Sequence, residues 1–170
     1  MSDSSGYSGH VHAHTDSVHI REAGASDSAA IAVIVNAAFQ VEKEFRDGQR
    51  TSQAQVLTDM QRGTFLVASD GNAILGAVFV KVNGNKGYFG MLSVDPKLQR
   101  GGVGRSLLTA AEHFCRERGC EVMTLSTGSV RQELLPYYAK SGYLITKVEP
   151  APSNAPFTRP IDIVHMEKKL

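Results

Sequence analysis

Residues 87–108 read Gly87-Tyr88-Phe89-Gly90-Met91-Leu92-Ser93-Val94-Asp95-Pro96-Lys97-Leu98-Gln99-Arg100-Gly101-Gly102-Val103-Gly104-Arg105-Ser106-Leu107-Leu108. Tyr88, Phe89, Leu92 and Val94 are strand formers. Asp95-Pro96 then stops the ladder, because proline brings no N–H to it. Beyond the glycines, Leu107, Leu108, Ala111, Phe114 and Cys115 recur at helical spacing, and Gly119 supplies a stop. A helix therefore opens near Gly101 or Gly102, with unpaired amides facing out of its start. Gly101, Gly102 and Gly104 leave those amides unshielded, and Arg100 and Arg105 flank them with positive charge. Aligned N–H groups, the helix dipole and two guanidiniums describe a site for a phosphate-bearing ligand. The plain alternative is a tight strand-to-helix connection.

Two well-known phosphate motifs fail on the letters. A P-loop needs a glycine where Gln99 stands and Lys where Arg105 stands. A dinucleotide fingerprint begun at Gly102 needs a third glycine where Leu107 stands. What fits is Gln-x-x-Gly-x-Gly, from Gln99 to Gly104, directly after a strand. Here the chain resembles the GNAT-type N-acetyltransferase superfamily, closely over residues 88–143 and more weakly, in element order, over 19–170. The resemblance implies acetyl-coenzyme A as co-substrate and no metal. It implies that Leu92 and Val94 lie along the pantetheine arm, and that Gln99, Arg100, Gly101, Gly102, Val103, Gly104 and Arg105 form the pyrophosphate turn.

At 170 residues the chain suits one domain with a core of its own. Hydrophobic residues at 42% and charged residues at 21% are proportions of a globular protein in water. Lys and Arg number 18 against 17 Asp and Glu, so no global field favours nucleic acid or an anionic membrane. No apolar run approaches the ~20 residues that span a bilayer. The N-terminus carries no apolar signal core, and a cytoplasmic protein is expected. Cys115 and Cys120 are too few for a disulfide framework and are expected as reduced thiols.

Residues 1–17, rich in Ser, Gly and His, are expected to be a disordered tail ahead of one domain over 18–170. His10, His12 and His14 alternate without further ligands nearby, so no metal site is assigned. A first strand over 18–21 leads to a helix over 26–39 that buries Ile31, Ile34, Val35 and Ala38. A polar loop over 40–50 precedes a helix over 52–62 with Val56 and Met60 inside. Asp70-Gly71 and Asn83-Gly84 mark hairpins joining strands over 64–69, 73–82 and 88–94. A strand over 121–126 follows the glycine-turn helix and is expected parallel to the strand before it. A helix over 132–141 and strands over 143–149 and 161–167 complete the chain. This order, β-α-α-β-β-β-α-β-α-β-β, is that of the acetyltransferase family. It predicts an α/β fold, a mixed, mostly antiparallel sheet with helices on both faces.

The chemistry implied by the resemblance is direct attack of a primary amine on the thioester, without a covalent enzyme intermediate. A splayed strand exposes N–H groups, and one donor on a developing oxyanion contributes about 2.7–4 kcal/mol. Leu92 is assigned that donor, and Gly90 is read as the mark of a bulge that opens the pairing. Tyr138, four residues before Gly142, takes the family's place for the acid that meets the coenzyme sulfur; an interfacial core tyrosine is the alternative. Tyr137 is expected to turn inward. Arg131 stands where many relatives carry asparagine, and reads either as a contact to the coenzyme phosphates or an acceptor carboxylate, or as a solvated helix-start arginine. Residues 87–94 hold no glutamate to serve as base. Glu42, Glu44 and Asp47 read as a solvated acidic loop, His165 as a structural strand histidine, and no base is assigned. The acceptor, a small molecule or peptide amine, is open, and so is a homodimer. The competing reading is a non-catalytic acyl-coenzyme A sensor that kept the pocket.

Overall fold

The computed structural model describes residues 18–98 and 101–170. The expected tail over 1–17 and two anticipated cofactor contacts, Gln99 and Arg100, lie outside them. The chain runs β1 (His19–Glu22), α1 (Ser28–Ala38), α2 (Gln53–Asp59), β2 (Thr64–Asp70), β3 (Ala73–Asn83), β4 (Lys86–Val94), α3 (Val103–Glu117), β5 (Val122–Gly128), α4 (Leu134–Lys140), β6 (Leu144–Pro150) and β7 (Asp162–Lys169). The strands form one sheet in the order β1-β2-β3-β4-β5-β7-β6. Every neighbouring pair is antiparallel except β4 and β5, which are parallel because α3 returns the chain across the sheet. Among the described residues no helix is long and apolar enough to cross a membrane.

Strand alternation decides which helix each side chain meets. In β2, Phe65 and Val67 join Ile31, Val35 and Val56 of α1 and α2. Leu66 and Ala68, one position out of phase, join Leu107, Leu108 and Ala111 of α3 on the other face. Ile31 and Leu107 are fully shielded from water, and burial of such a side chain contributes about 1.5–3 kcal/mol. Among the buried carboxylates, Glu112 of α3 accepts from Tyr143 Oη at 2.7 Å and from Lys168 Nζ at 3.0 Å. Burial and that carboxylate push the Tyr143 phenol upward.

The end of α2 and the start of α4 differ from expectation for local reasons. Ser52 caps α2, its Oγ accepting from Gln55 N at 3.1 Å, but the helix ends at Asp59, whose carbonyl takes both Arg62 N and Gly63 N. Residues 131–133 form a turn, with Leu134 N donating to Arg131 O at 3.1 Å, so α4 starts at Leu134. Pro136 then falls in its first turn, where the missing N–H costs no helical bond. Ala38 and Met60 are half-buried rather than buried.

Candidate active site

β4 and β5 pair only at Lys86–Val122, Gly87–Met123 and Tyr88–Thr124. Past Tyr88 the strands part, and a cavity of about 620 Å³ opens between them. The cause lies in β4. Gly90 pairs with Phe79 and Ser93 with Ala77, so Met91 and Leu92 together face Val78 alone. Such a bulge bends and twists its strand. It sits just after Gly90, the residue read as its mark. Met91 takes a φ of 52°, a left-handed conformation that costs roughly 1–2 kcal/mol for a side-chain-bearing residue. Ser93 Oγ helps to hold it, donating to Met91 O at 2.9 Å.

Val94 and Gly104 line the cavity beside the start of α3. Gly102 precedes the helix at a φ of 79°, and among the described residues no side chain caps it. The amides of Val103, Gly104 and Arg105 therefore have no acceptor within the helix. A Cβ on Gly104 would stand 3.4 Å from both Tyr137 Oη and Val94 Cγ2. The Val103 side chain is buried in the core, which leaves only its backbone for a ligand. Arg105 and Gly101 are exposed. Asp95 is a turn residue, its Oδ1 accepting from Lys97 N at 3.0 Å.

Tyr138 lies in the wall with 7% exposure, its ring 5.7 Å from that of Phe89. Burial, reinforced by the neighbouring Tyr137 phenol, holds its hydroxyl above the usual tyrosine range and hence protonated. The expected inward turn of Tyr137 is reversed: Tyr137 is 41% exposed and Tyr138 is the buried ring. α4 is only seven residues long, and two adjacent tyrosines there point about 100° apart, so its packing rather than its period decides between them.

The opposite side of the cavity overturns the reading of a solvated acidic loop. Glu42 is buried, with Oε1 3.4 Å from Arg46 Nη2 and Oε2 3.5 Å from Arg131 Nη1. Arg131 also meets Glu133 at 2.6 Å and lies over Phe39, so it is neither solvated nor at the glycine turn. Glu44 and Asp47 are exposed as expected. Arg46 and Arg50, both in the cavity wall, escaped the sequence reading altogether. Asn36 of α1 fixes the latter's backbone by clasping Thr51, accepting from its N at 3.0 Å and donating to its O at 3.1 Å. Above them Asp47 N donates to Pro156 O at 2.8 Å and Thr158 N to Phe45 O at 2.9 Å. These bonds tie the 40–50 loop to the 150–160 loop.

His165 of β7 is part of a chain across three strands. Its Nε2 lies 2.8 Å from Glu149 Oε1 and its Nδ1 lies 2.9 Å from Ser126 Oγ, and Ser126 lines the cavity. A carboxylate accepts only, so Nε2 donates to Glu149, and Nδ1, when it carries no proton, accepts from the serine hydroxyl. Lys147 and His165 in turn hold the Glu149 carboxyl below its usual range.

Residues 30–143 match the family described as Acetyltransferase (GNAT) family. The chain belongs to the GNAT acetyltransferase family. N-alpha-acetyltransferase 30 of Homo sapiens is 30% identical over 86 residues, 48% of this chain and 24% of that protein. The Mus musculus protein of the same name matches equally. This GNAT chain thus spans about a quarter of the length of the curated relatives it matches. Among solved structures, Ard1 from Thermoplasma volcanium has a TM-score of 0.73 at 21% identity, covering 91% of this chain and 98% of its own. Salmonella typhimurium yncA, described with its cofactor acetyl-CoA, has a TM-score of 0.70 at 21% identity, covering 91% and 94%. Ribosomal-protein-alanine N-acetyltransferase from Brucella melitensis has a TM-score of 0.71 at 22% identity, covering 89% and 99%. At these identities the likeness to these structures is one of fold.

Proposed function

We propose that residues 18–170 form an N-acetyltransferase domain that moves the acetyl group of acetyl-coenzyme A onto a primary amine. The observation that carries this is the parting of β4 from β5 over a cavity that runs from an uncapped helix start to a buried tyrosine. The amides of Gly102, Val103, Gly104 and Arg105 receive the diphosphate, whereas that of Gly101 is already given to Leu98 O at 3.0 Å. Leu92 and Val94 flank the pantetheine. The amine nitrogen attacks the thioester carbon, charge builds on the carbonyl oxygen toward the Leu92 N–H, and the carbon–sulfur bond then breaks.

The sulfur leaves as thiolate beside Tyr138. With its phenol held protonated above the ordinary range, Tyr138 stabilises that thiolate by donating a hydrogen bond rather than by full proton transfer. The proton lost by the amine has a route through Ser126 Oγ to His165 Nδ1, with Glu149 orienting the ring. Neither cysteine lines the cavity, and burial pushes Cys115 up to about 12, which supports direct attack. Two buried free thiols also fit a reducing compartment such as the cytoplasm.

Purified protein, acetyl-coenzyme A and a panel of primary amines test the reading through steady release of free thiol. Turnover with at least one amine is expected. Tight calorimetric binding of acetyl-coenzyme A without thiol release would point to an acyl-coenzyme A sensor; no binding would remove both readings.

A further inference from the structure

The acceptor side of the cavity is short of negative charge. Arg46, Arg50 and Arg131 converge there, and among the described lining residues Glu42 and Glu133 are the carboxylates that answer them. Both already face other arginines: Glu133 binds Arg131, and Glu42 lies between Arg46 and Arg131, its Oε2 buried without a hydrogen bond. Arg50 is left over. Among the described residues it has no ion pair, and its Nε is buried without a hydrogen-bond partner, as is that of Arg46. Its guanidinium lies 5.2 Å over the Phe39 ring, and the Asn36–Thr51 clasp fixes the adjoining backbone. Burial, with the charge of Arg46 added, lowers its pKa. A guanidinium does not shed its proton in a protein, so its surroundings call for an anion.

We infer that Arg50, aided by Arg46 and Arg131, receives a carboxylate of the acceptor, which makes the substrate a small primary amine that is also a carboxylic acid. This rests on the acetyl-transfer reading. A planar fork of N–H donors matches a carboxylate in two parallel bonds, and Arg50 brings such a fork to the cavity wall over the Phe39 ring. Small size follows from the roof. The bonds from Asp47 to Pro156 and from Thr158 to Phe45 close the two loops over this side, with Arg46 and Phe157 joined in a further bridge. These bonds argue for a small acceptor, since a long polypeptide entering on this side would have to break them.

The test compares the nineteen free amino acids that are primary amines with their α-amides as acceptors; within that set the α-amide of glutamate, isoglutamine, separates a side-chain carboxylate from an α-carboxylate. Free acids are expected to exceed their amides in kcat/KM by about 10- to 150-fold, the range of a charge-assisted hydrogen bond. Arg50→Gln should raise KM for the acid by a similar factor while KM for acetyl-coenzyme A stays within twofold. Arg50→Lys should recover part of it. Binding of N-acetyl-L-glutamate and of N-acetyl-L-glutamine amide by the wild-type protein is read by calorimetry in parallel, which needs neither turnover nor a variant. Equal kcat/KM for acids and amides, or equal binding of that pair, overturns the inference. Failure of acetyl-coenzyme A to bind overturns instead the reading beneath it.

Discussion

Gly104→Glu separates folding from cofactor binding more cleanly than any other single change here. Gly104 lies in the first turn of α3 in helical conformation, and a Cβ there meets Tyr137 Oη and Val94 Cγ2 at an ordinary contact distance of 3.4 Å. Replacing a helical glycine stabilises by about 0.5–1 kcal/mol. A carboxylate in the first turn adds about 0.3–1 kcal/mol through the helix dipole. The variant should therefore be about 1 kcal/mol more stable than the wild type. Its side chain, however, enters the cavity where the diphosphate is placed. One repulsive charge pair at ~4 Å with an effective dielectric of ~20 costs about 4 kcal/mol. That corresponds to about a thousandfold in affinity. Thermal melts and calorimetric titration with acetyl-coenzyme A read the two effects separately. An unchanged dissociation constant, within threefold of the wild type, would refute the placement of the phosphates.

Tyr138→Phe should lower kcat for thiol release at least tenfold and leave acetyl-coenzyme A affinity unaltered, since the ring packing against Phe89 and Tyr143 is retained; wild-type kcat would remove the hydroxyl from the reaction. Gly87→Ala places a Cβ 2.6 Å from Cys115 Sγ and should cost about 1–3 kcal/mol, lowering the melting temperature by roughly 2–12 °C. Adding Cys115→Ala should restore part of that loss, and strictly additive effects would show that the clash is not the cause. Asp27 is held below its usual carboxylate range by the hydrogen bonds from Arg21, so its contribution is present above an unfolded pKa of about 3.9 and fades as pH falls through the folded value. Asp27→Asn should accordingly lower stability by under ~1 kcal/mol at pH 7, with the gap closing below pH 4; a gap that persists at pH 2 in chemical denaturation would contradict the assignment.

The elements that position the cofactor end were legible because each is written in local letters. Hairpin glycines, a proline stop and a helical stripe after bare glycines need no partner from elsewhere in the chain. Gly71 and Gly84 do take positive φ, and Gly102 does so at the helix start. Gly90 announced the bulge, although the residues displaced are Met91 and Leu92. The acceptor side was not legible, for a physical reason. Glu42 looked solvated within a polar run, yet its burial depends on Arg131, which β5 and its following turn deliver from far along the chain. Arg50 carries no motif at all and is placed by the Asn36–Thr51 clasp. The Ser126–His165–Glu149 chain likewise exists only once β5, β7 and β6 are set side by side.

The short parallel junction between β4 and β5 makes the sheet two blocks with a brief seam. Past Tyr88 and Thr124 neither edge offers rungs to the other. On the proposed binding of acetyl-coenzyme A, a pantetheine arm in that gap brings amide groups able to face both edges and acts as a splint. Ligand occupancy then becomes part of the mechanical integrity of the domain. Amide exchange at residues 91–94 and at Thr127 should slow when the coenzyme is added.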